Sequence, residues 1–189
     1  MINPEKWLIV YSTVTGNTKQ IAEAIYEGFG EEKADICSIL ELVNEEKFSI
    51  EDYKNIAVGY WLTRGAPDKS VQELLAKLEY KTVILFQTQG AELGSEHSIT
   101  AFARAGSHLN PNCKILGTFA SQGKINPALL ARRKNGDATN PHSANERNKT
   151  RWASAALHPN EDDFNRAKEF VVAMERKLNL IKKYAEKIK

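Results

Sequence analysis

Trp7-Leu8-Ile9-Val10-Tyr11, followed at once by Ser12-Thr13-Val14-Thr15-Gly16-Asn17-Thr18, is the stretch that decides the fold. The first five residues form an unbroken β-branched and aromatic run, as a strand buried on both faces requires. From Asn17 onward Ile21, Ile25 and Phe29 recur every fourth residue, one face of a helix that ends near Gly28 or Gly30. A strand-to-helix turn aims backbone N–H groups and the positive end of the helix dipole at one point, which favours a phosphate. Hydroxyls at Ser12, Thr13, Thr15 and Thr18 and the Asn17 amide add donors, and Gly16 lets the backbone approach a ligand. The turn has no lysine for a triphosphate and lacks the three spaced glycines of a dinucleotide loop. Helix capping alone also uses Ser, Thr and Asn, so capping and phosphate binding are both open at this point.

Outward from this turn, short apolar runs alternate with amphipathic stretches, the pattern of parallel strands joined by crossover helices. Further strands are expected over Ala34–Ile39, Ile56–Trp61, Val83–Gln87 and Lys114–Phe119, with helices over Asp68–Leu78 and Ser95–Leu109. Asn160 followed by Glu161, Asp162 and Asp163 starts a last helix, expected over about 160–188. Its stripe of Phe164, Ala167, Val171, Met174, Leu178 and Ile181 is the face to lay on the sheet. Asn135 to Arg151 is polar and without apolar periodicity, and reads as a mobile loop or a functional lid. One domain over 1–189 is the expectation from length.

Hydrophobic residues at 42% and charged residues at 26% describe an ordinary globular chain. No apolar run reaches the ~18 residues of a membrane helix and no signal peptide opens the sequence, so a cytoplasmic protein is expected. The formal charge of +2 hides ten acidic residues against two lysines from Glu23 to Asp52, and eight basic against three acidic from Arg166 to Lys189. That split is too mild and too poor in interleaved aromatics for nucleic acid. Cys37 and Cys113 read as small buried thiols. His97, His108, His142 and His158 lie in separate segments, so neither a catalytic triad nor a metal site is expected. Glu92, Glu96 and His97 are cheaper to read as helix-start acids and a surface histidine.

Ser-Thr-Val-Thr-Gly-Asn-Thr resembles the FMN phosphate loop of the flavodoxins, and the strand and helix order of the whole chain is similar to theirs. The resemblance implies a doubly wound, five-stranded parallel sheet of order 2-1-3-4-5 with helices on both faces, binding FMN at the carboxyl ends of the strands. It assigns phosphate contacts to the side chains of Thr13, Thr15, Asn17 and Thr18, with Ser12, Val14 and Gly16 completing the loop. Trp61-Leu62-Thr63-Arg64-Gly65 resembles the loop whose aromatic stacks on the isoalloxazine, Trp61 being either that residue or simply buried. Thr88, Gln89, Gly90 and Ser95 would meet the ring edge. No tyrosine stands between Thr88 and Ser98, unlike many flavodoxins, so one ring face is open or covered by Leu93. The chain is also slightly basic where flavodoxins are usually acidic. Gly90–His97, Gly117–Ile125 and His158-Pro159 resemble one branch of the family, the flavodoxin-like proteins that accompany bacterial bilirubin reductase. In Gly117–Ile125, Gln122 and Gly123 either face the flavin or form an ordinary turn.

Three functions follow from the resemblance, in order of preference: an FMN electron carrier serving a reductase or acceptor enzyme, an NAD(P)H-dependent FMN quinone or flavin reductase, and a non-redox module that lost the cofactor. The hydroxyl-rich turn argues against the third, and no nicotinamide-binding motif supports the second.

Overall fold

A computed structural model describes residues 5–44, 47–135 and 143–187. Its elements in chain order are β1 (Trp7–Tyr11), α1 (Asn17–Phe29), β2 (Ala34–Ser38), α2 (Ile39–Asn44), β3 (Asn55–Thr63), β4 (Ala66–Pro67), α3 (Lys69–Lys77), β5 (Thr82–Gln89), α4 (Glu96–Gly106), β6 (Lys114–Gln122), α5 (Pro127–Lys134), α6 (Glu146–Ala155) and α7 (Glu161–Lys187). The sheet runs β2-β1-β3-β5-β6, with the two-residue β4 paired to β3 alone. The five long strands pair in parallel throughout, so the expected 2-1-3-4-5 order holds with β4 set aside.

Side chains alternate across the sheet with the period of two that a pleated strand imposes. Trp7, Ile9 and Tyr11 of β1 pack with Ala57, Ile84 and Phe86 under α1 and α7. Leu8 and Val10 pack with Val58, Val83 and Leu85 under α3 and α4, where Val71, Leu74, Leu75 and Ala105 are buried. Both faces are covered, which is why the strands read as continuous apolar runs rather than alternating ones.

Several boundaries differ from the expectation. β3 continues two residues past Trp61 because Leu62 and Thr63 pair antiparallel with β4, and β6 three past Phe119 because parallel pairing with β5 persists through Gln89↔Gln122. Ile39 opens the short helix α2 instead of closing β2. The segment expected to be loop from Asn135 to Arg151 contains the start of α6; residues 136–142 lie outside the described residues. A helix forms there because Asn145 caps it, its side chain accepting from Asn148 N at 2.8 Å, while Trp152 and Ala155 bury its apolar face. Ile181 was expected on the core but is exposed, since α7 outruns the sheet and Leu178 is the last of its stripe to touch the core. Cys37 is buried, whereas Cys113 is only half-buried and directs its Sγ to Leu78 O at 3.3 Å.

α1 and α7 lie side by side, and Gly28 sets how closely they pack. A Cβ there would stand 2.6 Å from Val171 Cγ2 and 2.9 Å from Lys168 Cα, the second being backbone that cannot swing away. Gly28→Ala gains up to about 1 kcal/mol of helix propensity. It meets an overpacking cost of about 1–3 kcal/mol, which wins. The variant is expected to unfold at lower urea concentration, by about 1–2 kcal/mol. An unchanged or raised midpoint would show that the two helices separate freely.

Candidate functional site

Because the long strands are parallel, the loops after β1, β3, β5 and β6 leave the same edge of the sheet, and a cleft of about 990 Å³ opens among them. That size is at the upper end of what small-ligand pockets span.

The turn after β1 is held from below and left open above. Ser12 N donates to Gly59 O at 2.9 Å, extending the β1–β3 pairing, and Gly16 N donates to Thr13 Oγ1 at 3.0 Å. Gly16 enters α1 at φ +85°, a left-handed conformation that an L side chain resists, and no side chain caps the helix. The first turn of α1 carries no acidic residue. Among the described residues no side chain caps this amino end, and the dipole's positive end lies beside the cleft. Asn17 Nδ2 donates to Thr15 Oγ1 at 3.0 Å and to Lys124 O at 2.9 Å, tying the turn to the loop after β6. Val14, Thr15 and Asn17 line the cleft. Ser12, Thr13, Gly16 and Thr18 do not, although all but Thr18 belong to the turn that shapes it. Thr18 is redirected: its hydroxyl shares a 2.8 Å hydrogen bond with that of Thr88, and both residues are buried. It fastens α1 to β5.

β3 and β4 form a two-residue hairpin whose turn is Arg64-Gly65, at φ 53° and 77°. Two successive positive φ values suit the right-handed strand twist, at a cost of roughly 1–2 kcal/mol for the non-glycine Arg64. Arg104 of α4 offsets part of it by donating to Arg64 O at 3.2 Å and Gly65 O at 3.1 Å. Trp61, Leu62, Arg64 and Gly65 line the cleft and Thr63 does not. Trp61 is half-buried at the cleft wall, so its indole is available to a ligand. Thr88, the neighbour of Trp61 on β5, lines the cleft too, as do Gln89, Gly90 and Ser95. Behind them Gln87 Nε2 donates to Gln89 Oε1 at 2.8 Å and Ser98 O at 2.9 Å, fixing the loop after β5 on α4. Leu93 is partly exposed and does not line the cleft. Gly123 lines it and Gln122 does not, the Gln122 amide oxygen accepting from Ser154 Oγ at 3.4 Å.

Sequence reasoning missed Arg104, Lys124, Arg133, Arg147 and Arg151, all of which line the cleft. For the last two a signal existed, since Arg147, Arg151 and Trp152 follow an Asn-Glu helix start. Among the described residues no three His, Cys, Asp or Glu side chains converge as metal ligands, and no helix is long and apolar enough to cross a membrane.

A flavodoxin domain matches residues 8–172. The chain is 32% identical to the flavodoxin-like domain-containing protein BilS of Clostridioides difficile (strain CD3), over 93% of this chain and 99% of that protein. It is 27% identical to BilS of Clostridium symbiosum (strain WAL-14163), over 89% and 95%. In fold it resembles a flavodoxin from the domain Archaea, with a TM-score of 0.53 at 13% identity over 92% of this chain and 99% of that one. Oxidised flavodoxin 2 from Bacillus cereus gives 0.52 at 16% identity over 91% and 99%. This chain belongs to the flavodoxin-like family.

The loop after β6 is also anchored from the far side, where Lys124 N donates to His158 O at 3.0 Å. His158 Nδ1 lies 2.5 Å from Asp163 Oδ2, Asn160 N donates to the same oxygen at 3.0 Å, and Arg166 donates to Oδ1 at 2.7 Å. Burial opposes ionisation of Asp163, but these three partners outweigh it and hold the carboxyl below its ordinary value of 3.8. A depressed carboxyl stabilises the fold fully above its unfolded pKa and loses that contribution as pH falls through the folded one. Asp163→Asn should therefore cost about 1–3 kcal/mol at neutral pH. Its gap to the parent chain should stay constant above about pH 5 and close in acid. Urea denaturation across pH reads it, and a gap that widens in acid would contradict the assignment.

Proposed function

We propose that this chain is a single-domain FMN-binding electron carrier that exchanges electrons with a redox partner protein in the cytoplasm. The observation that carries this reading is the uncapped amino end of α1, opening into the same cleft as the half-buried Trp61. Membership of the flavodoxin-like family supports it, and so do two cysteines that form no disulfide, as in reducing compartments.

The residues present fit FMN. Its phosphate takes the backbone N–H groups at the start of α1 and the Thr15 hydroxyl, with Asn17 holding Thr15 in place. The ring would be held by the Trp61 indole and by the backbone and amide groups of Thr88, Gln89 and Gly90. When bound, FMN supplies one- and two-electron transfer, and the protein's part is to orient it and set its potential. Arg64, exposed at the cleft mouth and held in its turn by Arg104, places a cation where negative charge would be taken up.

A carrier and a nicotinamide-dependent reductase differ in what reduces them. Stopped-flow mixing of the FMN-loaded chain with NADH or NADPH should give reduction slower than about 0.1 s⁻¹, below the ~1–10³ s⁻¹ of ordinary turnover. A reduced ferredoxin should reduce it at least about a hundredfold faster. Fast, saturable reduction by a nicotinamide would make the protein a reductase instead.

A further inference from the structure

The cleft carries more positive charge than one phosphate calls for. On the proposed reading the turn after β1 takes a monophosphate with N–H groups and hydroxyls, and needs no basic side chain. From the loop after β6, from α5 and from α6, however, Lys124, Arg133, Arg147 and Arg151 all line the cleft. Among the described residues, no carboxylate comes within 4 Å of any of these four cations, whose neighbours on the surface pair freely with acids.

The arrangement is built rather than incidental. α5 ends Arg132-Arg133-Lys134; Arg132 and Lys134 are exposed, while Arg133 is half-buried and lines the cleft. Arg147 and Arg151 stand four residues apart on one face of α6, a like-charge spacing that destabilises a helix. α6 is nonetheless fixed firmly: Asn145 caps it, Asn148 Nδ2 donates to Ser143 O at 2.7 Å, and Trp152 is buried. Arg151 is half-buried, and its Nε is sealed from solvent with no hydrogen-bond partner among the described residues. Burial and the neighbouring Arg151 both lower the affinity of Arg133 for its proton, as two guanidiniums held together without an anion must. An oxyanion would meet both the unpaired N–H and the paired positive charge, and guanidinium forks match carboxylate and phosphate.

We infer that Arg133, Arg147 and Arg151, with Lys124, form a second anion site in the cleft, which takes the phosphate or carboxylate group of a small organic ligand brought beside the cofactor. This rests on the reading that the turn after β1 holds the phosphate of FMN.

The test is calorimetric titration of the FMN-loaded full chain, at low ionic strength, with sodium pyrophosphate and adenosine 2′,5′-bisphosphate in one arm and sodium succinate in the other. One-site binding in either arm is expected, weakened about tenfold or more by Arg147→Gln/Arg151→Gln and by Arg133→Gln, with FMN affinity unchanged within about twofold. Gln keeps helix propensity, and thermal melts confirm that each variant folds. Binding in the first arm alone assigns a phosphorylated ligand and binding in the second a carboxylate. Binding in neither arm overturns the site, as does a parallel loss of FMN affinity, which would mean that the arginines serve the cofactor's own phosphate. If the chain takes up no FMN, the functional reading has failed. The same titrations on the FMN-free chain then decide the anion site, which stands if the substitutions abolish binding and falls if they leave it intact.

Discussion

Parallel pairing of β1, β3, β5 and β6 is the constraint on which the rest depends. In a parallel sheet every carboxyl end lies at one edge, so each strand delivers its following loop to the same place. Here Tyr11 pairs with Gly59, Trp61 with Thr88, and Gln89 with Gln122, so four loops distant in sequence become neighbours. A slip of one residue in any of these registers would turn that strand's apolar set toward the wrong layer, and the two buried faces forbid it. The site is thus a by-product of how the core is satisfied.

Two small contacts convert that neighbourhood into a defined cavity. The Asn17 amide joins Thr15 to the carbonyl of Lys124, and the shared hydrogen bond of Thr18 with Thr88 fastens α1 to β5. Both originate in the first turn of α1, so the helix end proposed to meet a ligand is itself tied to β5 and to the loop after β6. Such rigidity is what preorganised recognition of a charged group needs. The unfilled capping position at Gly16 fits the same logic, since a capping side chain would occupy the N–H groups that the proposed phosphate would use.

The sequence made the strands, α1 and the hydroxyl turn legible, because each is a local pattern: continuous apolar runs, a period of four, hydroxyls beside a glycine. It was less informative where tertiary contacts override local chemistry. Thr18 reads like its neighbours, but only the packed structure shows its hydroxyl turned inward to Thr88. The Arg64-Gly65 hairpin needs a non-glycine residue at positive φ, which no propensity favours, and Arg104, forty residues away, supports it. α6 looked like loop because its composition is polar, and the arginines that make it so face the cleft rather than defining an apolar stripe. Ile181 shows the converse error, a periodic stripe that continues after the sheet has ended.

If the amino end of α1 is a phosphate site, the phosphate must carry much of the affinity for a flavin. Fluorescence titration of the cofactor-free chain with FMN and with riboflavin, which differ only in that group, measures this directly. Two charge-assisted hydrogen bonds of at least about 1.5 kcal/mol each correspond to FMN binding about a hundredfold or more tighter than riboflavin. Equal affinities for the two flavins would contradict the account.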